Sequence, residues 1–455
     1  MAQQSTFESL ASYIAGTLDT PLPPEVDVKT RHHLLDTIGA MITGSRLKPG
    51  EAAINFVRSQ GGVTEATVIG SNVVTSAINA AMANGMLAHS DETDDSHAPS
   101  LTHPGCAVVP AALAVAERQQ ASGEALVRAI ALGYDVGSRI ARAMGGIEAR
   151  GMHGHATHTI GPMFGATAAA AALMGLDSQG VRYALSYTAQ QASGITSWAR
   201  DSEHIEKSFV FGGNGARNGV TSALFVASGM TAEEDAFGGD NGFLEVFCPK
   251  REDFPEWVAN LGSHYEISIT NIKKFSVGSP IQAAAEAMTA LVTEHGIKPG
   301  DITNVDVLLP PQGAQIVNGR HMPDVNLQYC MAAIALDGGK LSFEATHTYE
   351  RLSDPAIVEM MAKVHLHGNP EFAALERQRP ATVRIQTTFG LLEKYVPAVH
   401  GTADNPMSLE EVDAKVIDLI RSVYDEERGK DVVTAIRGLS ATTPALSLRS
   451  LLTED

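Results

Sequence analysis

Apolar residues recur at helical spacing through the first 260 residues of the chain. Residues 31–42 place Leu34, Leu35, Ile38 and Met41 on one side of a predicted helix. The same spacing predicts further helices over residues 9–14, 75–87, 107–118, 126–144, 162–176 and 220–227. The segment 162–176 contains so much alanine that its helix must pack at short distance against a neighbour.

The pattern changes near residue 264. Residues 265–270, 301–309 and 381–388 alternate and are rich in β-branched side chains, which predicts three strands. Helical spacing predicts helices between them, over residues 279–294, 326–336 and 354–364, and again after Gly401. The chain is therefore expected to be mainly α. A large all-helical domain would take residues 1–264 and 400–455, and a smaller α+β lid domain residues 265–399.

Charge and composition exclude several classes of protein. The formal net charge is −19 and the pI about 5.2, with no Lys/Arg-rich patch, so nucleic acid and anionic lipid are not expected partners. The longest apolar run, residues 164–176, is too short to span a bilayer. Three widely separated cysteines and an N-terminus without the layout of a signal peptide predict a cytoplasmic protein.

The most unusual stretch is HSDETDDSHAPSLTHPG, residues 89–105. It could be a polar turn between two helices. Its density of histidines and carboxylates, and the His103-Pro-Gly step before an apolar helix, instead favour proton transfer and carboxylate binding. Histidine changes charge near neutral pH, and a helix N-terminus attracts anions.

Three other segments carry titratable or glycine-rich patterns. His153, His155 and His158 form HxHxxH, which could hold a metal, contact an anion or cap a helix; no strand precedes it, so a metal is the less favoured reading. FGGNGARNG follows Lys207, but its spacing matches no nucleotide-binding loop. Lys273 lies in NIKKF, where a lysine could hold a carboxylate or face solvent.

Together these segments resemble the MmgE/PrpD family along nearly the whole chain. The resemblance is carried by LLDTIGAMITG, HSDETDDSH…THPG, GYDVGSRIARAM, HATHTIGPMFGATAAAA, HIEKSF, NIKKF, QYCMAAIALDGG and ADNPMSLEEV. It implies a homodimer without metal or organic cofactor and an active site between the two domains, lined by basic residues. Matched position by position, the family's site residues are expected at Glu92, Ser96, His97, His103, His155, Lys207 and Lys273.

Two positions depart from the decarboxylase-like members of that family. Gly278 stands where they carry a histidine, and Ile316 where a tyrosine is usual. The chain is therefore predicted to be a cofactor-independent epimerase of a di- or polycarboxylate such as iminodisuccinate. His103, Tyr134 and Lys207 would remove and return the α-proton, while Glu92, Ser96, His97, His155 and Lys273 would bind substrate.

Other functions stay open at this point. A lyase like 2-methylcitrate dehydratase, acting on a hydroxy-tricarboxylate, or one like cis-aconitate decarboxylase would use the same positive groups. A metal hydrolase built on the three histidines of HxHxxH and a protein that only binds its ligand are the remaining alternatives.

Overall fold

The computed structural model describes residues 2–146, 154–249, 251–375 and 379–454. It forms two compact units. The first comprises residues 1–90, 94–270 and 409–455, and the second residues 91–93 and 271–408. The loop at 89–105 thus contributes Asp91, Glu92 and Thr93 to the second unit and its other residues to the first.

The first unit is built from helices. They are α1 (Ala2–Gly16), α2 (Pro24–Gly44), α3 (Lys48–Gln60), α4 (Ala77–Ala88), α5 (Gly105–Gln119), α6 (Gly123–Ala143), α7 (Thr157–Leu173), α8 (Ser178–Gln191), α9 (Ile205–Ser208), α10 (Asn214–Ala227), α11 (Phe243–Phe247) and α12 (Phe254–Val258). A short hairpin, β1 (Ala66–Thr67) and β2 (Val74–Thr75), lies between α3 and α4. Three more helices near the C-terminus complete this unit.

Small residues let the central helices approach closely. A Cβ on Gly165 of α7 would lie 2.3 Å from the carbonyl oxygen of Gly133 of α6, and one on Gly161 would lie 2.8 Å from that of Gly137. Only glycine fits at such distances. The prediction that the alanine-rich helix packs tightly against a neighbour is confirmed.

The second unit has a four-stranded sheet against helices. Its elements are α13 (Gln282–His295), β3 (Ile302–Leu309), α14 (Pro311–Val317), α15 (Leu327–Leu336), α16 (Phe343–His347), α17 (Pro355–Met361), β4 (Val364–Gly368), β5 (Ala381–Thr387) and β6 (Gly390–Val396). The strand order is β4-β3-β5-β6, with β3 and β4 parallel and the other pairs antiparallel. Val383 and Ile385 point into the core, as their alternation predicted. The chain then re-enters the first unit with α18 (Leu409–Arg421), α19 (Glu426–Arg437) and α20 (Arg449–Leu452).

The mainly α prediction is confirmed, but one predicted strand is wrong. Residues 265–270 contain a 3₁₀ turn, Glu266–Ile269, and group with the helical unit. The amide of Glu266 donates to Asp135 Oδ1 (3.2 Å), and the carbonyl of His264 accepts from Arg139. These side chains on α6 satisfy the backbone groups that a neighbouring strand would otherwise have paired. Cuts at 264 and 400 stay predictions; the two compact units change over at Thr270 and Ser408.

Across the described residues, every helix is too short or too polar to cross a lipid bilayer.

Candidate active site

Two adjacent carboxylates in the loop before α5 hold different groups. Asp94 Oδ2 lies 2.8 Å from Nδ1 of His89, and Asp94 Oδ1 lies 3.2 Å from Nδ1 of His103. Asp95 instead contacts His33, 2.8 Å from its Nδ1. Both carboxylates are completely buried. Asp94 therefore fixes two imidazoles, of which His103 keeps 15 % of its side chain exposed.

His89 directly follows α4 and is fully buried. Burial lowers the pKa of His89 below its usual value, although the Asp94 carboxylate opposes this shift and Lys207 adds to it. The ring is therefore neutral near pH 7. Its Nε2 has no hydrogen-bond partner among the described residues.

The aromatic ring of Phe211 packs against several of these side chains and their neighbours. It stacks on His89 at a centroid distance of 4.3 Å and on His158 at 4.6 Å. The His103 ring lies 5.4 Å away, and the ammonium of Lys207 lies 5.3 Å from the ring centre. Trp198 packs edge-on at 4.6 Å, 5.9 Å from the same ammonium. We call His89, Asp94, His103, His158, Lys207, Trp198 and Phe211 the Phe211 cluster.

The backbone around Phe211 explains how the ring reaches this place. Residues 209–213 form a π-helix between α9 and α10, and such turns are frequent at functional sites. A Cβ on Gly212 would lie 1.9 Å from the carbonyl oxygen of Gly85 in α4. The glycines of FGGNGARNG thus bring the π-helix into backbone contact with α4, the helix that His89 follows.

Lys207 is positioned by a short helix with a capped start. Its amide donates to Asp201 Oδ2 (3.0 Å), and the preceding His204 adopts φ = 62°, in the left-handed region. The His204 ring lies 5.3 Å from that of His89.

Tyr134 lies in a layer behind this cluster. It is fully buried, and its hydroxyl donates to Asp95 Oδ2 at 2.5 Å. Burial, together with the charge of Asp95, raises the pKa of Tyr134 well above its usual value. A Cβ on Gly105 would lie 2.6 Å from this hydroxyl, so α5 starts with the one residue that leaves room for it. This placement supports Asp95, and the predicted role of Tyr134 in proton transfer stays a prediction.

His97 and Ser96 are also buried. His97 Nδ1 lies 2.7 Å from the hydroxyl of Ser100, and its Nε2 lies 2.9 Å from Glu266 Oε2. The backbone of His97 pairs with Thr102 and closes the loop. Both ring nitrogens face protein groups and the side chain is 0 % exposed, so His97 holds the loop in shape. Its predicted contact with substrate stays a prediction. The predicted substrate contact of Ser96, which is 6 % exposed, stays a prediction.

Glu266, the acidic partner of His97, is buried and contacts a second basic side chain. Glu266 Oε1 accepts from Arg142 at 2.8 Å. Burial alone would raise the pKa of Glu266, but His97 and Arg142 together lower it to about 2.

Two further predicted residues belong to the second unit. The ammonium of Lys273 donates to the carbonyl oxygen of Glu92 (2.8 Å) and lies 3.7 Å from its carboxylate. Beside them, His347 Nε2 lies 2.9 Å from Asp91 Oδ2. Burial opposes protonation of His347, but Asp91 outweighs it and raises the pKa. The predicted roles of Glu92 and Lys273 in substrate binding stay predictions.

The two described histidines of the HxHxxH segment have different surroundings. His153 lies outside the described residues. His155 is exposed and packs edge-on against Phe247 (5.3 Å), whereas His158 joins the Phe211 cluster. A possible metal-binding set is found elsewhere: ligand atoms of His89, Asp94 and Cys106 all lie within 4.8 Å of one another.

Two family profiles match most of the chain. The sequence profile of the MmgE/PrpD N-terminal domain matches residues 8–254, and that of the C-terminal domain matches residues 275–438. The chain belongs to the MmgE/PrpD family.

Curated relatives of this MmgE/PrpD protein are named for one reaction. Human cis-aconitate decarboxylase is 26 % identical, with 91 % of this chain and 88 % of the human protein covered. Cis-aconitate decarboxylase of Aspergillus terreus is 24 % identical, with 99 % and 96 % covered. The cis-aconitate decarboxylase-like protein oryM of Aspergillus oryzae is 24 % identical, with 98 % and 97 % covered.

These relatives overturn the predicted epimerase. Decarboxylases are lyases, so the isomerase assignment is wrong and the decarboxylase-like alternative is favoured. The prediction relied on the departures at Gly278 and Ile316. Two positions outside the Phe211 cluster were given more weight than similarity along the whole chain. The predicted homodimer stays a prediction.

Sequence reasoning did not single out several of the residues described above. His89, Asp94, Phe211 and Trp198 were not among the candidates, nor was His347 in the second unit. His89 and Asp94 stand in the segment that was singled out, so their type gave a signal. Phe211 gave none, because a phenylalanine in an apolar run is usually a core residue.

Proposed function

We propose that this protein is a lyase that decarboxylates an unsaturated tricarboxylate of the cis-aconitate type. The observation that carries the proposal is that the His103 ring, held by Asp94, and the ammonium of Lys207 both lie against the ring of Phe211. The decarboxylases that resemble the chain over at least nine-tenths of its length supply the substrate class.

The chemistry of such a substrate fixes what the site must do. Of the three carboxylates of cis-aconitate, one is attached to a saturated carbon next to the C=C bond. When it leaves as CO₂, its bonding electron pair forms a new C=C bond. The old double bond's electrons move to the vinylic carbon beside another carboxylate. One proton added there gives a five-carbon unsaturated dicarboxylate, so the trianion and one proton yield a dianion and CO₂.

Two kinds of group are therefore required. A fixed positive charge must stabilise the growing charge on the remaining carboxylate, and one such donor is worth about 3 kcal/mol in comparable sites. A proton donor must also stand near the vinylic carbon. Lys207 has the charge, and His103 has a titratable ring held by a buried carboxylate and partly open to solvent.

The remaining members of the cluster have supporting roles in this scheme. Asp94 orients the His103 ring. Phe211, Trp198 and the neutral His89 surround the ammonium with weakly polar rings, which excludes water and strengthens its attraction for a carboxylate. Tyr134 and His33 hold Asp95 in the layer behind.

Incubation with cis-aconitate in D₂O, followed by proton NMR, tests the proposal. We expect loss of the substrate signals, CO₂ release, and a five-carbon product that carries one deuterium from solvent. The His103→Ala variant is the negative control and should not form this product. If the purified protein leaves cis-aconitate unchanged, or gives a six-carbon hydroxy acid by adding water, the proposed decarboxylation is ruled out.

A further inference from the structure

Beside the proposed reaction centre, three side chains of different chemistry meet in the interior. They are the imidazole of His89, the carboxylate of Asp94 and the thiol of Cys106, each completely buried. One ligand atom from each lies within 4.8 Å of the others. Nitrogen, oxygen and sulfur together suit a zinc-like cation, and a thiol disfavours Mg²⁺ or Ca²⁺.

We propose that His89, Asp94 and Cys106 form an inhibitory binding site for Zn²⁺ and similar divalent transition metals. The inhibitory part of the proposal rests on the proposed function, because Asp94 also holds His103. Metal binding itself does not depend on it.

The distances need little adjustment. Ligand atoms around tetrahedral zinc stand about 3.5 Å apart, given metal–ligand distances near 2.1 Å for nitrogen and oxygen and 2.3 Å for sulfur. His89 Nδ1 and Asp94 Oδ2 are 2.8 Å apart, already within that spacing. The widest separation in the set is at most 4.8 Å and would close by no more than about 1.3 Å, which small side-chain rotations supply. Water or His103 would take the fourth position.

The surroundings of the His89 ring and of Cys106 also suit a metal. If Nδ1 of His89 binds the metal in place of its contact with Asp94 Oδ2, the ring proton moves to Nε2, which has no hydrogen-bond partner among the described residues. Cys106 loses its thiol proton to solvent on binding. It stands in the first turn of α5, where the helix end favours negative charge.

Occupation of this site would inhibit catalysis. Asp94 Oδ1 lies 3.2 Å from Nδ1 of His103, and a cation bound to the same carboxylate would occupy the group that orients the His103 ring. The enzyme would lose its proton donor while its fold stayed intact.

Metal-stripped protein titrated with Co²⁺ tests the site without any substrate. We expect a near-ultraviolet thiolate-to-cobalt absorption band that saturates at one equivalent and disappears on addition of Zn²⁺. In Cys106→Ser, the band should be lost and zinc affinity should fall by about tenfold or more. The serine hydroxyl can donate to the carbonyl of His103, as Cys106 Sγ does at 3.1 Å, so the fold is kept.

Cys248→Ser and Cys330→Ser are matched controls, because both replace buried free cysteines outside this set. They should keep the band. A band that persists in Cys106→Ser, or no band in the native protein, would overturn the metal site. Zinc should also slow turnover of the native enzyme and affect Cys106→Ser much less; equal inhibition of both would overturn the inhibitory role.

The two proposals fail separately. A protein that shows the Cys106-dependent band but turns over no tricarboxylate has the metal site and lacks the proposed activity. A protein that decarboxylates cis-aconitate but shows no band has the proposed activity and lacks the metal site.

Discussion

His103 Nδ1 lies 3.2 Å from Asp94 Oδ1, and the two side chains differ sharply in exposure, 15 % for the ring and 0 % for the carboxylate. A buried anion thus holds a ring that solvent and ligands can reach. In many acid–base sites, a carboxylate of this kind fixes the orientation of the histidine that transfers the proton.

His103→Gln should abolish most of the turnover without unfolding the protein. A positioned acid or base typically contributes 10²–10⁴-fold, so we expect kcat to fall by about that factor while the thermal midpoint stays close to that of the native protein. His365→Ala, at an exposed position on β4, is the control and should keep full activity. A His103→Gln enzyme that retains more than about a tenth of native kcat would argue against proton donation by this ring.

Lys207→Ala should weaken both substrate binding and turnover. Its ammonium lies among Phe211 and Trp198, where a carboxylate gains more from a positive charge than it would in water. We expect kcat/KM to fall about 10²-fold or more. Lys207→Arg should recover part of that loss, because the charge remains.

Lys298→Ala, on the exposed surface, provides the comparison for general effects of removing one positive charge. If it reduces kcat/KM as much as Lys207→Ala does, the effect is long-range and Lys207 has no special position.

Tyr134→Phe should cost stability more than activity. The hydroxyl of Tyr134 donates to the fully buried Asp95, and removal of one partner of a buried hydrogen bond costs about 1–3 kcal/mol. Denaturant titration should show this loss, while kcat changes less than about tenfold. Tyr183→Phe, whose hydroxyl is near the exposed Glu234, should change stability little. A loss of kcat beyond about 10²-fold with unchanged stability would instead support the predicted catalytic role of Tyr134.

Glu266→Gln should reduce the acid sensitivity of the fold. Burial opposes ionisation of Glu266, but His97 and Arg142 hold its pKa at about 2, below the usual 4.5. A carboxyl with a lowered folded pKa stabilises the protein above pH 4.5, and this contribution is lost as the pH falls from 4.5 towards 2. At 1.36 kcal/mol per unit, the contribution is roughly 3 kcal/mol.

The measurement is the free energy of unfolding of native and variant proteins at a series of pH values. The two curves should differ most at neutral pH and converge below about pH 3. Glu252→Gln, at an exposed position, is the control. Parallel curves for the native protein and Glu266→Gln would contradict the lowered pKa.

Much of this architecture could be read from the sequence, since long amphipathic and small-residue helices follow directly from side-chain spacing. The strand predicted at 265–270 is wrong because the segment alternates like a strand, whereas the backbone amide of Glu266 is bound by Asp135 on α6. Of the predicted catalytic residues, His103 and Lys207 meet at Phe211, while Tyr134 lies behind them. His155 and His158 could not be distinguished, because the start of α7 at Thr157 decides which of them turns inward.

The π-helix at 209–213 has a consequence for the history of this site. Each residue of a regular helix turns the chain by about 100°, so deletion of one residue there would rotate Lys207 by that angle relative to α10 and away from Phe211. Among homologous proteins, a single-residue gap at this place would therefore mark divergent chemistry more surely than an exchange of any one side chain.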